Sequence, residues 1–170
     1  MWNNDIVAVA QTQIGVTGGD PYWSWYGFDS RVEWCACFVS WCADQVGYIE
    51  EGKTPKFSAC TDGINWYKEK GLWFENSNDF FPVSGDIIFF DWKNKTTGEQ
   101  DGISDHVGIV KSYDFESRTI HTIEGNSGDE CRERAYNKDD VQILGFGSNR
   151  IQSIQEIDSS ITSVSYTHLT

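Results

Sequence analysis

The hydrophobic pattern of this 170-residue chain changes from helical to strand-like close to Pro82. Before that point, apolar residues recur three and four positions apart in three segments, 5–14, 33–48 and 58–71. After it, short apolar runs are separated by polar turns, at 86–92, 106–113, 119–124 and 141–147, with a weaker run at 132–136. Helices followed by strands predict an α+β fold in which the N-terminal helices pack on one face of an antiparallel sheet.

Residues 17–31 separate the first two predicted helices and combine Gly, Asp and Pro with large aromatic rings. Gly, Asp and Pro close together are typical of irregular structure, so we predict a loop here. The rings of this loop either lie over the hydrophobic core, which is the commoner arrangement, or wall a cleft.

Composition limits the partners of this chain. Its 13 basic and 26 acidic residues give a net charge of −13, which argues against a general binder of nucleic-acid backbones and against docking on anionic lipid. No stretch approaches the roughly 20 apolar residues of a membrane-spanning helix, so we expect no membrane insertion. The length is that of one ordinary domain, and we expect a monomer.

The two ends of the sequence differ from its centre. Residues 1–10 lack the basic stretch and the long apolar run of a secretory signal. Residues 150–170 begin with isoleucines three or four positions apart, typical of a short helix or a linker, and end in SVSYTHLT, which resembles translated adapter read-through. We therefore predict one domain over residues 1–149 and a linker or truncated tail over 150–170, with room for a missing C-terminal module.

The five cysteines are an odd number, so at least one thiol is free or pairs outside the chain. A helix N-terminus stabilises a thiolate, because its unpaired N–H groups and dipole favour negative charge. Only Cys35 begins its predicted helix. Cys42 lies two turns deeper on the same face, Cys37 projects to another side, and Cys60 and Cys131 have no such setting. We predict that Cys35 is a nucleophile and that the other four pack in the core.

The runs 106–113 and 119–124 predict a β-hairpin. If residues 114–118 form its turn, Tyr113 faces Thr119, and the rest of the pairing follows from that register. A change of one residue in the turn would move every side chain to the other face.

In this register His106 lies opposite Asn126, with Glu124 on the same face, while His121 points to the other face. A carboxylate or an amide beside an imidazole can orient it, as the third group of a nucleophile–histidine site does. We therefore predict His106 as the catalytic base and leave Glu124 and Asn126 as alternative partners.

Four segments then occur in an order that resembles the CHAP domain, the cysteine, histidine-dependent amidohydrolase/peptidase family, which is related to NlpC-type cell-wall peptidases. They are WCACFVSWCADQVGY, GDIIFFDW, DHVGIV and TIEGNS. The resemblance implies a papain-like or NlpC-like fold. It places the family's cysteine on Cys35, within a Trp-Cys-Ala element, its histidine on His106, and its later acidic and amide positions on Glu124 and Asn126.

The resemblance also implies a reaction. Such domains cleave amide bonds of bacterial peptidoglycan, either as endopeptidases or as N-acetylmuramoyl-L-alanine amidases. We expect Cys35 to form an acyl-enzyme while His106 transfers protons. Backbone amides at the helix start would stabilise the oxyanion, and Tyr26 or Tyr22 would add a donor in a cleft that includes Trp34.

Some members of the family bind calcium through an acidic loop before the cysteine. Asp20 and Asp29 fall in that region without an alternating acidic pattern, so we expect no metal and no cofactor. A zinc site is disfavoured because C-x-C-x4-C lacks the usual paired ligand spacing. A redox protein is disfavoured because no C-x-x-C occurs.

Two other functions stay open on the same fold: a catalytically silent wall-binding module, and an acyl-transferase or transpeptidase. The expected location is extracellular, at the bacterial cell wall, for either a phage endolysin or an autolysin that remodels the wall. The acidic charge is then unexpected, because walls are rich in anionic polymer and attract no acidic domain at long range. Either a missing C-terminal module, basic or wall-binding, supplies the targeting, or the cleft relies on short-range contacts alone.

Overall fold

The computed structural model describes residues 4–149, which form four helices and six strands. The helices are α1 (Asn4–Thr12), α2 (Asp20–Tyr26), α3 (Cys35–Gln45) and α4 (Cys60–Glu69). The strands are β1 (Trp73–Glu75), β2 (Ile87–Phe90), β3 (His106–Asp114), β4 (Thr119–Glu124), β5 (Arg132–Asn137) and β6 (Ile143–Gly147). The predicted α+β class is confirmed, whereas the predicted tail over 150–170 lies outside the described residues. None of the helices in the described range is long and apolar enough to cross a membrane.

The six strands form one antiparallel sheet in the order β1-β6-β2-β3-β4-β5. Strands β2 to β5 lie side by side in chain order, and β6 returns to pair with the other side of β2. The predicted last strand therefore lies inside the sheet, between β1 and β2. The edge strand β1 escaped prediction because its three residues are too few to show an alternating pattern.

Both faces of the sheet carry apolar clusters. The larger cluster lies between the sheet and the helices, and the smaller one covers the opposite face. Strand β2 contributes to both, with all four of its residues buried. A continuous apolar run is the expected pattern for a strand covered on both faces, which explains why 86–92 shows no alternation.

Helix α3 lies at the centre of the helical layer, where it contacts α1, α2, β3 and β4. Eight of its eleven residues are buried, so it is apolar around most of its circumference. Its first turn packs closely against the end of β4, because a Cβ on Gly125 would lie 2.5 Å from the Cβ of Phe38. The start of α3 is therefore held firmly beside the C-terminal end of β4.

Residues 17–31 contain helix α2, so the prediction of a continuous loop was wrong. Gly19 precedes the helix with a φ of 73°, Pro21 stands in its first turn, and Gly27 ends it with a φ of 124°. These residues mark the two ends of a short helix, since Pro fits a first turn and Gly fits a left-handed end.

The β3–β4 hairpin has different registers at its two ends. Near the turn, Tyr113 pairs with Ile120 and not with Thr119, so the predicted pairing is wrong there by one residue. Such a slip reverses which face each side chain occupies. A bulge at Lys111 then places one extra residue in β3.

Beyond the bulge the register agrees with the prediction, and Ile109 pairs with Ile123. The extra residue cancels the slip at the turn. His106 and Glu124 consequently lie on one face of the sheet, and His121 lies on the other.

Candidate active site

Cys35 is the first residue of α3 and is 6 % exposed. The thiol of Cys60, followed by the imidazole of His106 as hydrogen-bond donor and as positive charge, holds the pKa of the Cys35 thiol well below its usual range. Burial opposes this shift, and a backbone hydrogen bond from Val107 adds to it. The environment of Cys35 therefore favours the thiolate, which is the nucleophilic form.

Cys60 is the first residue of α4 and contacts Cys35, so the prediction that Cys60 has no special setting was wrong. Its hydrogen bond with Cys35, and next its burial, raise the pKa of the Cys60 thiol far above the usual range. Cys60 is therefore the proton donor of the pair. The sequence missed it because the helix start was predicted at Ser58 or Thr61 rather than at the cysteine between them.

His106 begins β3, and its side chain is 8 % exposed. Its Nε2 lies 2.8 Å from Oε1 of Glu124, which leaves Nδ1 to face Cys35. Burial lowers the pKa of His106, but its hydrogen bonds to Cys35 and Glu124 and the charges of both outweigh burial and raise the pKa to about 9. The ring of Trp92 stacks on the imidazole at 5.7 Å between centroids. The imidazole is thus fixed in position and favoured in its protonated form.

Glu124 is buried and accepts hydrogen bonds from two further side chains. Thr122 Oγ1 lies 2.5 Å and Tyr136 Oη 2.8 Å from its Oε2. Gly108 stands opposite Glu124 in the hairpin, and a Cβ there would come within 2.7 Å of the Glu124 Cγ. The absence of a side chain at Gly108 therefore gives the carboxylate room to reach His106. Sequence reasoning missed Thr122 and Tyr136, although strand alternation places Thr122 on the face of Glu124.

Asn126, the alternative partner for His106, has its hydrogen bonds elsewhere. Its Oδ1 accepts a bond from Arg31 Nη2 at 3.2 Å, and its Nδ2 donates to Glu33. Its backbone has a φ of 59°, the left-handed conformation that Asn tolerates better than most residues. Asn126 thus connects the turn after β4 to the segment before α3, while Glu124 makes the direct contact to the imidazole.

The three aromatic candidates for the cleft differ in their exposure. Tyr22 is fully buried, stacks on Trp34 and donates its hydroxyl to Gln13 at 2.7 Å. Trp34 is also fully buried, and its indole N–H donates to Asp129 at 3.1 Å. Both rings belong to the core under α3, so neither offers a free donor to an oxyanion. Tyr26 is half-buried and stacks on the ring of Phe28.

The remaining cysteines are free thiols, and all five cysteines of the chain are buried. Burial raises the pKa of Cys37 to about 11 and that of Cys131 to about 12, and it also raises the pKa of Cys42. Among the five cysteines, only Cys35 has a lowered pKa. Within residues 4–149, the cysteines and histidines form no cluster of three ligand atoms, which a zinc site requires.

A groove of about 590 Å³ opens beside the buried pair of His106 and Glu124. Three cations line it, Lys93, Lys95 and Arg134. In a chain with a net charge of −13, this is a local concentration of positive charge. The groove therefore has the electrostatic character of a site for a negatively charged ligand.

Two crystal structures of Ly7917 have a similar fold. "The crystal structure of Ly7917" matches with a TM-score of 0.51 and 16% sequence identity, covering 86% of this chain and 62% of that chain. "The crystal structure of Ly7917 with the hydrolyzing product of MDP" matches with a TM-score of 0.50 and 16% identity, covering 85% and 62%. At this identity the likeness shows the fold alone, and the chain spans less than two thirds of the length of Ly7917. No curated protein sequence matches the chain.

A family model described as "CHAP domain" matches residues 25–126, which is more than half of the chain. The matched range includes Cys35, His106 and Glu124, the residues that the fold brings together. The resemblance predicted from the four sequence segments is confirmed, and the chain belongs to the CHAP domain family.

Proposed function

We propose that this protein hydrolyses amide bonds of bacterial peptidoglycan through an acyl-enzyme on Cys35. One observation carries the proposal: Cys35 stands at a helix N-terminus beside His106, whose imidazole lowers the pKa of the thiol, and Glu124 orients that imidazole at 2.8 Å. Nucleophile, proton carrier and orienting carboxylate form the arrangement that acyl transfer requires. A catalytically silent binding module has no need of this arrangement.

The reaction begins when the Cys35 thiolate attacks the carbonyl carbon of the substrate amide. Protonated His106 gives its Nδ1 proton to the amide nitrogen, the C–N bond breaks, and the amine leaves with the acyl group held as a thioester. His106, now neutral, takes a proton from water as that water attacks the thioester carbonyl. The acid is released, and Cys35 and His106 return to the thiolate and imidazolium forms.

The oxyanion of each tetrahedral intermediate needs hydrogen-bond donors. The first backbone N–H groups of α3 have no acceptor within the helix, and they lie next to the Cys35 sulfur. They are the donors we assign to the oxyanion, with the positive end of the α3 dipole behind them. Such a donor is worth about 2.7–4 kcal/mol in a well-studied protease. Tyr22, whose hydroxyl bonds to Gln13, has no part in this assignment.

Peptidoglycan as substrate is supported by membership of the CHAP family and by the fold shared with Ly7917, for which a complex with the hydrolysing product of MDP exists. The groove beside His106 adds a chemical reason. Peptide stems of the wall carry free carboxylates, and Lys93, Lys95 and Arg134 can pair with them at short range. On this proposal the protein acts at the cell wall. Its net negative charge gives no long-range attraction to an anionic wall, so binding depends on short-range contacts in the groove.

The test is digestion of purified peptidoglycan followed by mass spectrometry of the released fragments. Wild-type protein is expected to release fragments with new free amino groups and intact glycan reducing ends, and the fragment masses identify the bond that is cleaved. Cys35→Ala is expected to release none. Cys37→Ala, which removes another buried thiol of the same helix, is the matched control and is expected to retain activity.

Two results would contradict the proposal. One is full activity in Cys35→Ala, and the other is no release by wild-type protein from any of several wall types. Addition of an amine acceptor such as glycine amide separates hydrolysis from transpeptidation. Products that carry the acceptor, formed at the expense of the free acid, would identify the enzyme as an acyl-transferase.

A further inference from the structure

The β2–β3 connection brings three carboxylates together. Asp91 directly follows β2, Asp105 directly precedes β3, and Asp101 stands in the loop between them. One oxygen of each side chain lies within 4.8 Å of an oxygen of each of the others. The pairing of Phe90 with His106 at the end of the two strands explains why Asp91 and Asp105 are neighbours.

Asp91 is an unusual member of this group because it is buried, with 1 % of its surface exposed. Its Oδ2 accepts a hydrogen bond from the backbone N–H of Gly102 at 2.8 Å, but its Oδ1 is buried without a hydrogen-bond partner among the described residues. A buried carboxylate oxygen without a donor is destabilising by about 1–3 kcal/mol, and more when it is charged. A cation or a hydrogen-bond donor bound at Asp91 Oδ1 would remove this cost.

Apart from the N–H of Gly102, the neighbouring groups around Asp91 carry negative charge. Burial raises the pKa of Asp91, the hydrogen bond from Gly102 lowers it, and the nearby carboxylates of Asp101 and Asp105 raise it. In the described part of the chain, no Lys or Arg side chain forms an ion pair with any of the three. The group is thus uncompensated by the protein's own cations.

Backbone amides hold the two exposed carboxylates in place. Trp92 N–H donates to Asp105 Oδ2 at 2.8 Å, and Ile103 N–H donates to Asp101 Oδ1 at 2.9 Å. Each of these contacts fixes one oxygen and leaves the other oxygen of the same carboxylate for a ligand. The three side chains are therefore oriented by the loop, while Asp91 provides the unsatisfied buried oxygen.

We propose that Asp91, Asp101 and Asp105 bind one Ca²⁺ ion. Three carboxylates form an all-oxygen ligand set, which suits a hard cation, and the exposure of Asp101 and Asp105 lets water complete the coordination. Mg²⁺ demands near-ideal octahedral geometry and loses its water reluctantly, whereas Ca²⁺ accepts irregular sets of oxygen ligands such as three carboxylates held by one loop.

This site differs from the acidic region before Cys35, where Asp20 and Asp29 lie and where the sequence predicts no metal. Neither residue belongs to the acidic group in the β2–β3 connection. The three residues form no local ligand motif in the sequence, because ten positions separate Asp91 from Asp101 and only the pairing of β2 with β3 brings them together.

Bound calcium would tie the two ends of the β2–β3 connection to each other. Asp105 immediately precedes His106, so the ion would hold the start of β3, and with it the imidazole, against the end of β2. The ion is a positioning element in this proposal and takes no part in bond cleavage. Calcium binding is independent of the proposed hydrolysis, and the test below uses no substrate.

The test is calorimetric titration of CaCl₂ into EGTA-treated, dialysed protein, with thermal melts in the same buffer. Wild-type protein is expected to bind one Ca²⁺ with a dissociation constant on the order of 10⁻⁴–10⁻³ M and to melt several degrees higher at saturation. Asp101→Asn and Asp105→Asn remove exposed ligands and are expected to weaken binding at least tenfold. Glu99→Gln, which removes an exposed charge from the same loop outside the group, is the matched control and should bind as wild type does.

The outcomes separate calcium from its alternatives. No heat and no change in melting temperature for wild-type protein would overturn the proposal, and so would unchanged binding in Asp101→Asn. MgCl₂ titrated in parallel is expected to bind more weakly, and equal affinity would overturn the assignment to calcium. A peptidoglycan digestion that fails while calcium still binds would count against the proposed hydrolysis alone.

Discussion

The thiol of Cys60 lies beside that of Cys35 and lowers the pKa of Cys35, so the first residues of α4 and α3 meet at the candidate active site. Two helix N-termini converge on one sulfur, and both favour negative charge there. Cys60, and the hydrogen bond and charge of the His106 imidazole, all lower the pKa of Cys35. The pKa of Cys35 is thus lowered from two sides, by the thiol of Cys60 at the start of a helix and by the imidazole of His106 at the start of a strand.

Cys60→Ala is expected to raise the pKa of Cys35. Loss of a hydrogen bond to a charged group costs about 1.5–3 kcal/mol, which corresponds to roughly 1–2 pH units in the ionisation of Cys35. The measurement is the rate of iodoacetamide alkylation of Cys35 between pH 4 and 9, followed by peptide mass spectrometry. Cys60→Ser keeps a donor and should lie between wild type and the Ala variant. Identical pH profiles for wild type and Cys60→Ala would show that the contact does not stabilise the thiolate.

Activity is expected to decline above pH 9. The lowered pKa of Cys35 extends its thiolate form to lower pH, and the raised pKa of His106, about 9, keeps the imidazolium that must protonate the leaving amine. Below the pKa of Cys35 the nucleophile is protonated, and above about pH 9 the acid is lost. A plot of kcat/KM against pH should therefore fall on the alkaline side with a midpoint near 9, by about tenfold per unit beyond it. A midpoint near 6.5, the ordinary value for histidine, would mean that Cys35 and Glu124 do not stabilise the imidazolium.

Glu124→Gln is expected to reduce kcat/KM by about 10²-fold or more, which is the usual contribution of a positioned acid–base pair. The amide keeps the shape of the side chain but removes the negative charge that orients and stabilises protonated His106. The alkaline limb of the pH profile should also shift to lower pH, a change that a merely structural role would not produce. Glu133→Gln is the matched control, because Glu133 lies on the adjacent β5 and is half-exposed beside Lys111.

Asn126→Ala separates the two candidate partners of His106. Since Asn126 bonds to Arg31 and Glu33, its loss should lower the melting temperature slightly and leave the alkaline pH limb in place. The pH dependence of kcat/KM measures both effects on the same protein. A shift of that limb equal to the shift in Glu124→Gln would assign the orienting role to the amide.

The candidate residues could be predicted from the sequence because their determinants are local. A helix N-terminus selected Cys35, and strand alternation selected Glu124 as a companion of His106. The predicted pairing at the His106 end of the hairpin is nevertheless correct only because two differences from the prediction cancel. One is a slip of one residue at Tyr113, and the other is the bulge at Lys111. Turn length and bulges follow from how the whole sheet packs, and the hydrophobic pattern of a single hairpin does not contain them.

The residues that the sequence missed depend on contacts between distant segments. Cys60 meets Cys35 only because the starts of α3 and α4 converge, and Tyr136 reaches Glu124 across the β4–β5 pairing. Helix α2 was missed for a different reason. Its Gly and Pro residues were interpreted as signs of a loop, although the same residues also occupy the ends of short helices.

The cationic groove should determine substrate affinity rather than the rate of the chemical step. Lys93→Gln, Lys95→Gln and Arg134→Gln are each expected to raise KM for wall peptides with free carboxylates by roughly threefold, the effect of one exposed ion pair, with kcat little changed. The measurement is KM at low and at high salt. Salt screens the ion pairs, so it should raise the KM of the wild-type protein and reduce the difference in KM between wild type and the variants. Lys70→Gln removes the same charge at the C-terminal end of α4, outside the groove, and should leave KM unchanged. If the three groove variants and Lys70→Gln all had the KM of wild type, the groove would have no role in recognising carboxylates. The acidic chain would then have to bind its wall substrate through uncharged contacts.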